Sequence, residues 1–281
     1  NRGWAPLRGV LADRKKLIEL PLAELYDLDR DPTEQKNVLS AKPEVATSLR
    51  KRLARESVWP PQRTTEPSSE EIAQLRSLGY TSGSAAPKSS YSPEDDPKKL
   101  IVLDRKLQDV VEAYTRGNYD LAVKLAREVA IARPSMSEPY EHMALALRQL
   151  ERPTEAITAL RSALGRGADR ESVRRQLALA LVEIGQGVDA LEALAPVIDS
   201  DDLATQKTLG LAYSEAGRYR EAIATFEKAR RVDPGDPKLL ENLGIVKLRM
   251  ERPAEARDLL RQAIAANANL PVSWNSLGVA L

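Results

Sequence analysis

The chain of 281 residues carries one histidine, His142, and no cysteine. An imidazole exchanges protons near neutral pH, but a catalytic one needs a nucleophile or a metal beside it. The acidic residues close to His142 are Glu138, four residues before it, and Glu141, next to it. These carboxylates supply neither, so His142 reads as a structural or surface residue. The lack of cysteine excludes disulfides, thiolate metal sites and thiol nucleophiles together. Arg133-Pro134-Ser135-Met136 holds a Pro-Ser pair, but it falls where a helical pattern ends and reads as a helix stop. Glu94-Asp95-Asp96 and Asp201-Asp202 are acidic turns ahead of helical segments, where negative charge is favoured. A calcium loop is the weaker alternative for the first. Arg50-Lys51-Arg52 lies on an amphipathic segment and reads as a solvated face. These positions specify no reaction, and the expected sets of catalytic, metal and cofactor residues are empty.

Bulk properties narrow the function classes further. Forty-two basic and 41 acidic residues leave a net charge of +1, so no global field attracts nucleic acid or an anionic lipid surface. No apolar run approaches the ~20 residues that span a bilayer. The chain opens on Asn1 rather than Met and closes inside a repeated pattern at Leu281. It is therefore expected to be a piece of a longer product.

What must position the polar residues is a helical array. The same hairpin pattern restarts near residues 103, 137, 171, 203 and 237, and a truncated sixth starts at 271, giving intervals of 34, 34, 32, 34 and 34 residues. The clearest copy reads Leu209-Gly210-x-x-Tyr213, Gly217-x-Tyr219, Ala222, Phe226, Ala229 and Pro234. Small residues at 210 and 222 let two helices approach, and the aromatics fill the space beside them. Gly217 reverses the chain, and Pro234 blocks continuation of the second helix. The second, third and fifth copies keep the frame with Ala144, Ala156 and Leu160, with Ala178, Ala190 and Leu194, and with Gly244, Ala256 and Leu260. The third is two residues short at its end. Pro153 and Pro253 stand where other copies have Tyr119 and Tyr219, and a proline is tolerated in a first helical turn. The pattern resembles the tetratricopeptide repeat. The resemblance implies a right-handed superhelix lined on its inner surface by the first helix of each pair, which binds proteins or peptides there.

Residues at spacings of three and four on those leading helices form the candidate groove. They include Leu145 and Arg148, Arg175 and Leu179, Lys207 and Leu211, Asn242 and Ile245, and Asn275. The middle position is apolar in every copy: Leu145, Leu179, Leu211, Ile245 and Val279. One reading is an apolar ladder that holds an amphipathic or apolar partner segment. The other is that these side chains only pack neighbouring hairpins together.

The first sixty residues differ in texture. Leu7–Ala12, Lys16–Leu20 and Glu24–Leu28 read as three short antiparallel strands. Asp31-Pro32-Thr33-Glu34 has the form of a helix start, with Asp31 as cap. A helix is expected from Pro43 to about Glu56, with Val45, Leu49 and Leu53 on one face. The run Glu24-Leu25-Tyr26-Asp27-Leu28, with Asp31-Pro32-x-Glu34-x-x-Asn37-Val38, resembles a string near the C-terminus of the sulfatase family. Gly3 to Arg8 and Arg14-x-Lys16-Leu17-Ile18 match the strands that precede it, with Leu17 and Val38 departing from the usual residues. In that family the region is a small subdomain packed on the catalytic core. The family's formylglycine nucleophile, made from Cys or Ser in a C/S-x-P-S-R motif, and its calcium ligands would lie upstream, so no catalytic or metal residue is carried over.

Pro60 to Pro97 is rich in Pro, Ser, Thr and Gly and reads as a linker with one short helix at residues 69–78. Its last part, Thr81 to Asp96, reads as mobile. The expected architecture is mainly α: a sulfatase-like α+β subdomain (1–59), a linker (60–97) and a tetratricopeptide solenoid (98–281). The expected function is a non-catalytic tail of a sulfate ester hydrolase carrying a protein-binding module, with the parent's own catalytic domain among the candidate partners. The alternative is a tetratricopeptide scaffold with no enzymatic parent. The sulfatase resemblance is compatible with a periplasmic or extracellular setting, but the residues fix no compartment.

Overall fold

Asp13 and Arg14 both adopt positive φ, 48° and 54°, which makes the two-residue reversal between the first strands. Strands β1 (Arg8–Ala12), β2 (Lys15–Glu19) and β3 (Glu24–Asp27) form one antiparallel sheet in the order β1-β2-β3. Val10 pairs with Leu17, and Leu17 with Leu25, so three apolar side chains line one face. Helix α1 (Pro43–Arg55) covers that face with Ala46 and Leu49, flanked by Val45 and Leu53. The computed structural model describes residues 5–55 and 90–281 and divides into two units, Asn1–Asp104 and Arg105–Leu281. Gly3, Trp4 and the expected helix at 69–78 lie outside the described residues.

Two expectations for the first unit are corrected. No helix starts at Asp31. The Asp31 carboxylate instead accepts from the Lys36 backbone N–H at 2.6 Å, five residues on, and Glu34 sits at φ 57°. That conformation breaks helical continuation. The stretch before Pro97, expected to be mobile, is ordered from Ser92. Ser92 and Asp95 close a capping box, the Asp95 carbonyl accepts from Ala5 N–H, and the Asp96 carboxylate accepts from Leu22 N–H at 2.9 Å. These bonds join residues 92–98 to the β2–β3 connection across more than seventy residues of sequence.

Asp96 also accepts from Lys98 N–H at the start of α2 (Pro97–Thr115), the leading helix of the first repeat. The other leading helices are α4 (Glu138–Gln149), α6 (Glu171–Glu183), α8 (Leu203–Glu215), α10 (Pro237–Arg249) and α12 (Pro271–Ala280). They alternate with trailing helices α3 (Tyr119–Ala132), α5 (Pro153–Gly165), α7 (Gly187–Leu194), α9 (Tyr219–Val232) and α11 (Pro253–Ala266). Each hairpin closes on small residues, which let the two helix axes come near. A Cβ placed on Gly210 would stand 2.4 Å from the Phe226 ring, and one on Gly244 would stand 2.8 Å from Leu260. Ala122, Ala156, Ala190, Ala222 and Ala256, one per trailing helix, are fully buried. The shortened third repeat has a local cause: α7 stops after eight residues and gives way to a 3₁₀ turn at Ala195–Val197 that contains Pro196.

Candidate peptide-binding face

The candidate face is built by the leading helices. Neighbouring leading helices are fastened by polar bridges that recur one repeat apart. Arg148 on α4 grips Glu183 on α6, its Nε lying 2.9 Å from both carboxylate oxygens. Arg175 on α6 reaches Asp202, the residue that caps α8, at 3.1 Å. Lys207 on α8 pairs with Asp236, the cap of α10. Arg249 on α10 bonds back to Glu215 on α8 at 3.1 Å. Hydroxyl-to-carboxylate rungs complete the series: Ser172 donates to Glu141, Ser200 to Glu171 and Ser273 to Glu241.

The electrostatics follow from this arrangement. Burial alone would push the Asp236 carboxyl up, but the Lys207 ammonium and the N–H groups of Leu239 and Lys238 outweigh it and hold the group below the usual carboxylate range. Arg148, Arg175 and Lys207, singled out as groove cations, are thus each committed to an acid on the next repeat. Sequence reading missed the acidic halves of these bridges. The available signal was opposite charges spaced 27 to 35 residues apart, about one repeat length.

The apolar positions stand differently. Leu145, Leu179, Leu211 and Ile245 are half-buried on α4, α6, α8 and α10, and Leu211 also touches the solenoid core. Val279 on α12 is 72% exposed. Asn242 is half-buried on α10, and Asn275 is exposed on α12. The ladder therefore keeps accessible apolar surface at one position per repeat, while the cations beside it are occupied.

His142 is partly buried on α4. Burial lowers its pKa, against the opposing pull of Glu141 and Glu138. Asp201 pairs with Lys228, and Asp95 and Asp96 bond the backbone and side chain of Ser92 and the N–H groups of Leu22 and Lys98. Among the described residues, no group of three metal-ligating side chains comes together, and no helix is long and apolar enough to cross a membrane.

With this geometry in place, two family models match the chain, both described as tetratricopeptide repeat, over residues 110–172 and 213–277. These segments are tetratricopeptide repeats. The solenoid is similar to a solved structure of MamA from Desulfovibrio magneticus RS-1, at 22% identity, covering 60% of this chain and 97% of that one, with a TM-score of 0.51. It is also similar to TTC0263, a thermophilic TPR protein in Thermus thermophilus, at 20% identity, covering 63% and 98%, with a TM-score of 0.51. Likeness at this identity is one of fold. No curated protein matches the chain. The matched segments lie wholly within the tetratricopeptide array, and the sulfatase-like string at residues 24–38 falls outside both of them.

Proposed function

We propose that the chain is a tetratricopeptide scaffold or adaptor that grips an apolar or amphipathic peptide segment along its leading helices. The observation that carries this is the ladder of half-buried aliphatic side chains, one per repeat, flanked by cations already paired within the solenoid. Such a face recognises its partner by burying apolar surface, not by clamping a carboxylate. The test is selection from a random peptide library displayed against the full chain. Enrichment of sequences with apolar residues at helical or alternate spacing supports the reading. Selected peptides whose binding is unchanged when Leu179→Ser and Ile245→Ser remove the ladder contradict it.

A finer reading concerns the first unit, which we take as a sulfatase-like C-terminal subdomain. It is favoured by how the letters of the resemblance are used in the fold. Asn37 accepts from the N–H groups of Leu25 and Leu39 and donates to the Ala23 carbonyl. Asp27, buried, accepts from Lys15 and Lys42, each at 2.7 Å. The string is a fold determinant here and holds no reacting group. On this reading a parent protein hydrolyses sulfate esters with a formylglycine and calcium held by residues outside the present sequence. Sequencing upstream of Asn1 decides it: a C/S-x-P-S-R motif supports the enzyme parent, and a start codon immediately before Asn1 leaves the scaffold alone.

A further inference from the structure

A cavity of about 300 Å³ opens on the side of α4 that faces the trailing helices, away from the ladder. Tyr140, Met143 and Leu147 line it from α4 at spacings of three and four, a different face of that helix from Glu141, Leu145 and Arg148. The gap has a sequence cause. Ala130 on α3 and Ala159 on α5 both border it, and both are small. Counted from the start of each trailing helix, the same two positions hold Leu164 and Ala193 in the next pair, and Arg230 and Leu259 in the last. Only between α3 and α5 are the adjoining residues alanine together with an exposed aliphatic neighbour, Ile131, which is 70% exposed at the mouth.

Two further observations point to a ligand. Tyr140 is 4% exposed, and its hydroxyl has no hydrogen-bond partner. An orphaned buried hydroxyl costs about 1–3 kcal/mol, and a phenol can donate to an incoming oxygen. Arg127 and Arg166 also border the cavity, and neither forms an ion pair among the described residues. The acid that lines the same cavity, Glu155, is held by Arg152 at 2.5 and 2.8 Å, and Arg127 acts on it only at longer range. The site therefore offers an apolar volume of side-chain size, one buried donor and two guanidinium groups without a bonded acid.

We infer that this cavity is a second docking site, for a partner peptide that inserts a bulky apolar side chain next to an acidic residue. The apolar side chain fills the space over Met143 and Leu147, and the carboxylate meets Arg127 and Arg166. A peptide carbonyl accepts from the Tyr140 hydroxyl. This site is independent of the ladder and does not need it to be a groove.

The chain has three methionines, so methionine-methyl ¹³C labelling of the full chain gives a readout specific to Met143. The probes are a blocked Glu-Phe-Glu peptide, its Lys-Phe-Lys counterpart and free 3-phenylpropionate. We expect the acidic peptide to shift the Met143 methyl while leaving Met250 in place, with affinity weakening as salt is raised. Ala159→Leu, which copies the residue of the last repeat, should weaken that peptide by roughly tenfold or more. Arg127→Gln with Arg166→Gln should weaken it and flatten the salt dependence, with the helical circular dichroism unchanged. The assignment is overturned if Met143 does not move at millimolar peptide, which leaves a solvent-filled gap. It is overturned too if Lys-Phe-Lys binds as well, or if 3-phenylpropionate alone matches the peptide and makes the site one for small carboxylates.

Discussion

At the scale of single residues, backbone conformation and charge burial divide the positions that sequence could explain from those it could not. Gly117, Gly185 and Gly217 turn their hairpins at φ of 76°, 77° and 75°. In the second and fifth repeats the same turn is made by Glu151 and Glu251 at φ 56° and 60°. An L-residue in that region carries strain of about 1 kcal/mol. Glu251→Gly should therefore stabilise the chain by roughly 0.5–1 kcal/mol in urea unfolding, and a loss of stability would show that the side chain does more than turn. The glycine turns were legible because glycine announces itself, whereas a glutamate in the same conformation leaves no mark on composition. His142 supplies a pH prediction. Its folded pKa lies below its unfolded value, so the unfolded chain binds more protons as pH falls through the region of 6.5. Stability should decline from about pH 7 to about pH 5, and His142→Gln should remove the part of that slope owed to the imidazole. An identical slope in the variant would assign the decline to other groups.

At the scale of elements, hydrophobic period and proline position predicted nearly every helix and strand. The three strands, α1 and the trailing-helix starts at Pro153 and Pro253 sit where alternation and capping put them. The misplaced helix at Asp31 shows the limit of such reading. Its letters suit a cap, yet the carboxylate closes a five-residue turn, because Asn37 must reach Leu25 and Ala23 beside it on β3 and its approach. A local motif cannot report that distant demand. The first unit also depends on Asp27, a buried carboxylate whose lysine partners, Lys15 and Lys42, hold its pKa far below the usual range. A depressed carboxylate stabilises the fold above its unfolded pKa, and that contribution fades as pH falls below about 4. Asp27→Asn should unfold the sheet at lower urea at neutral pH, and the difference from wild type should shrink toward about pH 3. A difference that persists unchanged in acid would show that packing, not the ion pairs, is what the substitution disturbs.

At the scale of the whole molecule, the repeat period was the most legible feature, since it integrates five copies of a weak signal. The order of residues 92–98 was not legible, because polar and proline-rich composition reads as linker whether or not its backbone finds partners. Arg175 and Lys207 could be placed on the leading helices from sequence, but their acidic partners one repeat away could not. On the proposed function, that pairing leaves an apolar grip in place of a charged clamp. The measurement that tests this most directly is calorimetric titration of the best library-selected peptide into the full chain and into its Leu179→Ser, Ile245→Ser form, with circular dichroism confirming equal helicity. An apolar grip predicts at least about tenfold weaker binding in the variant and a negative heat-capacity change in the wild type. Equal affinity in the two chains would contradict it.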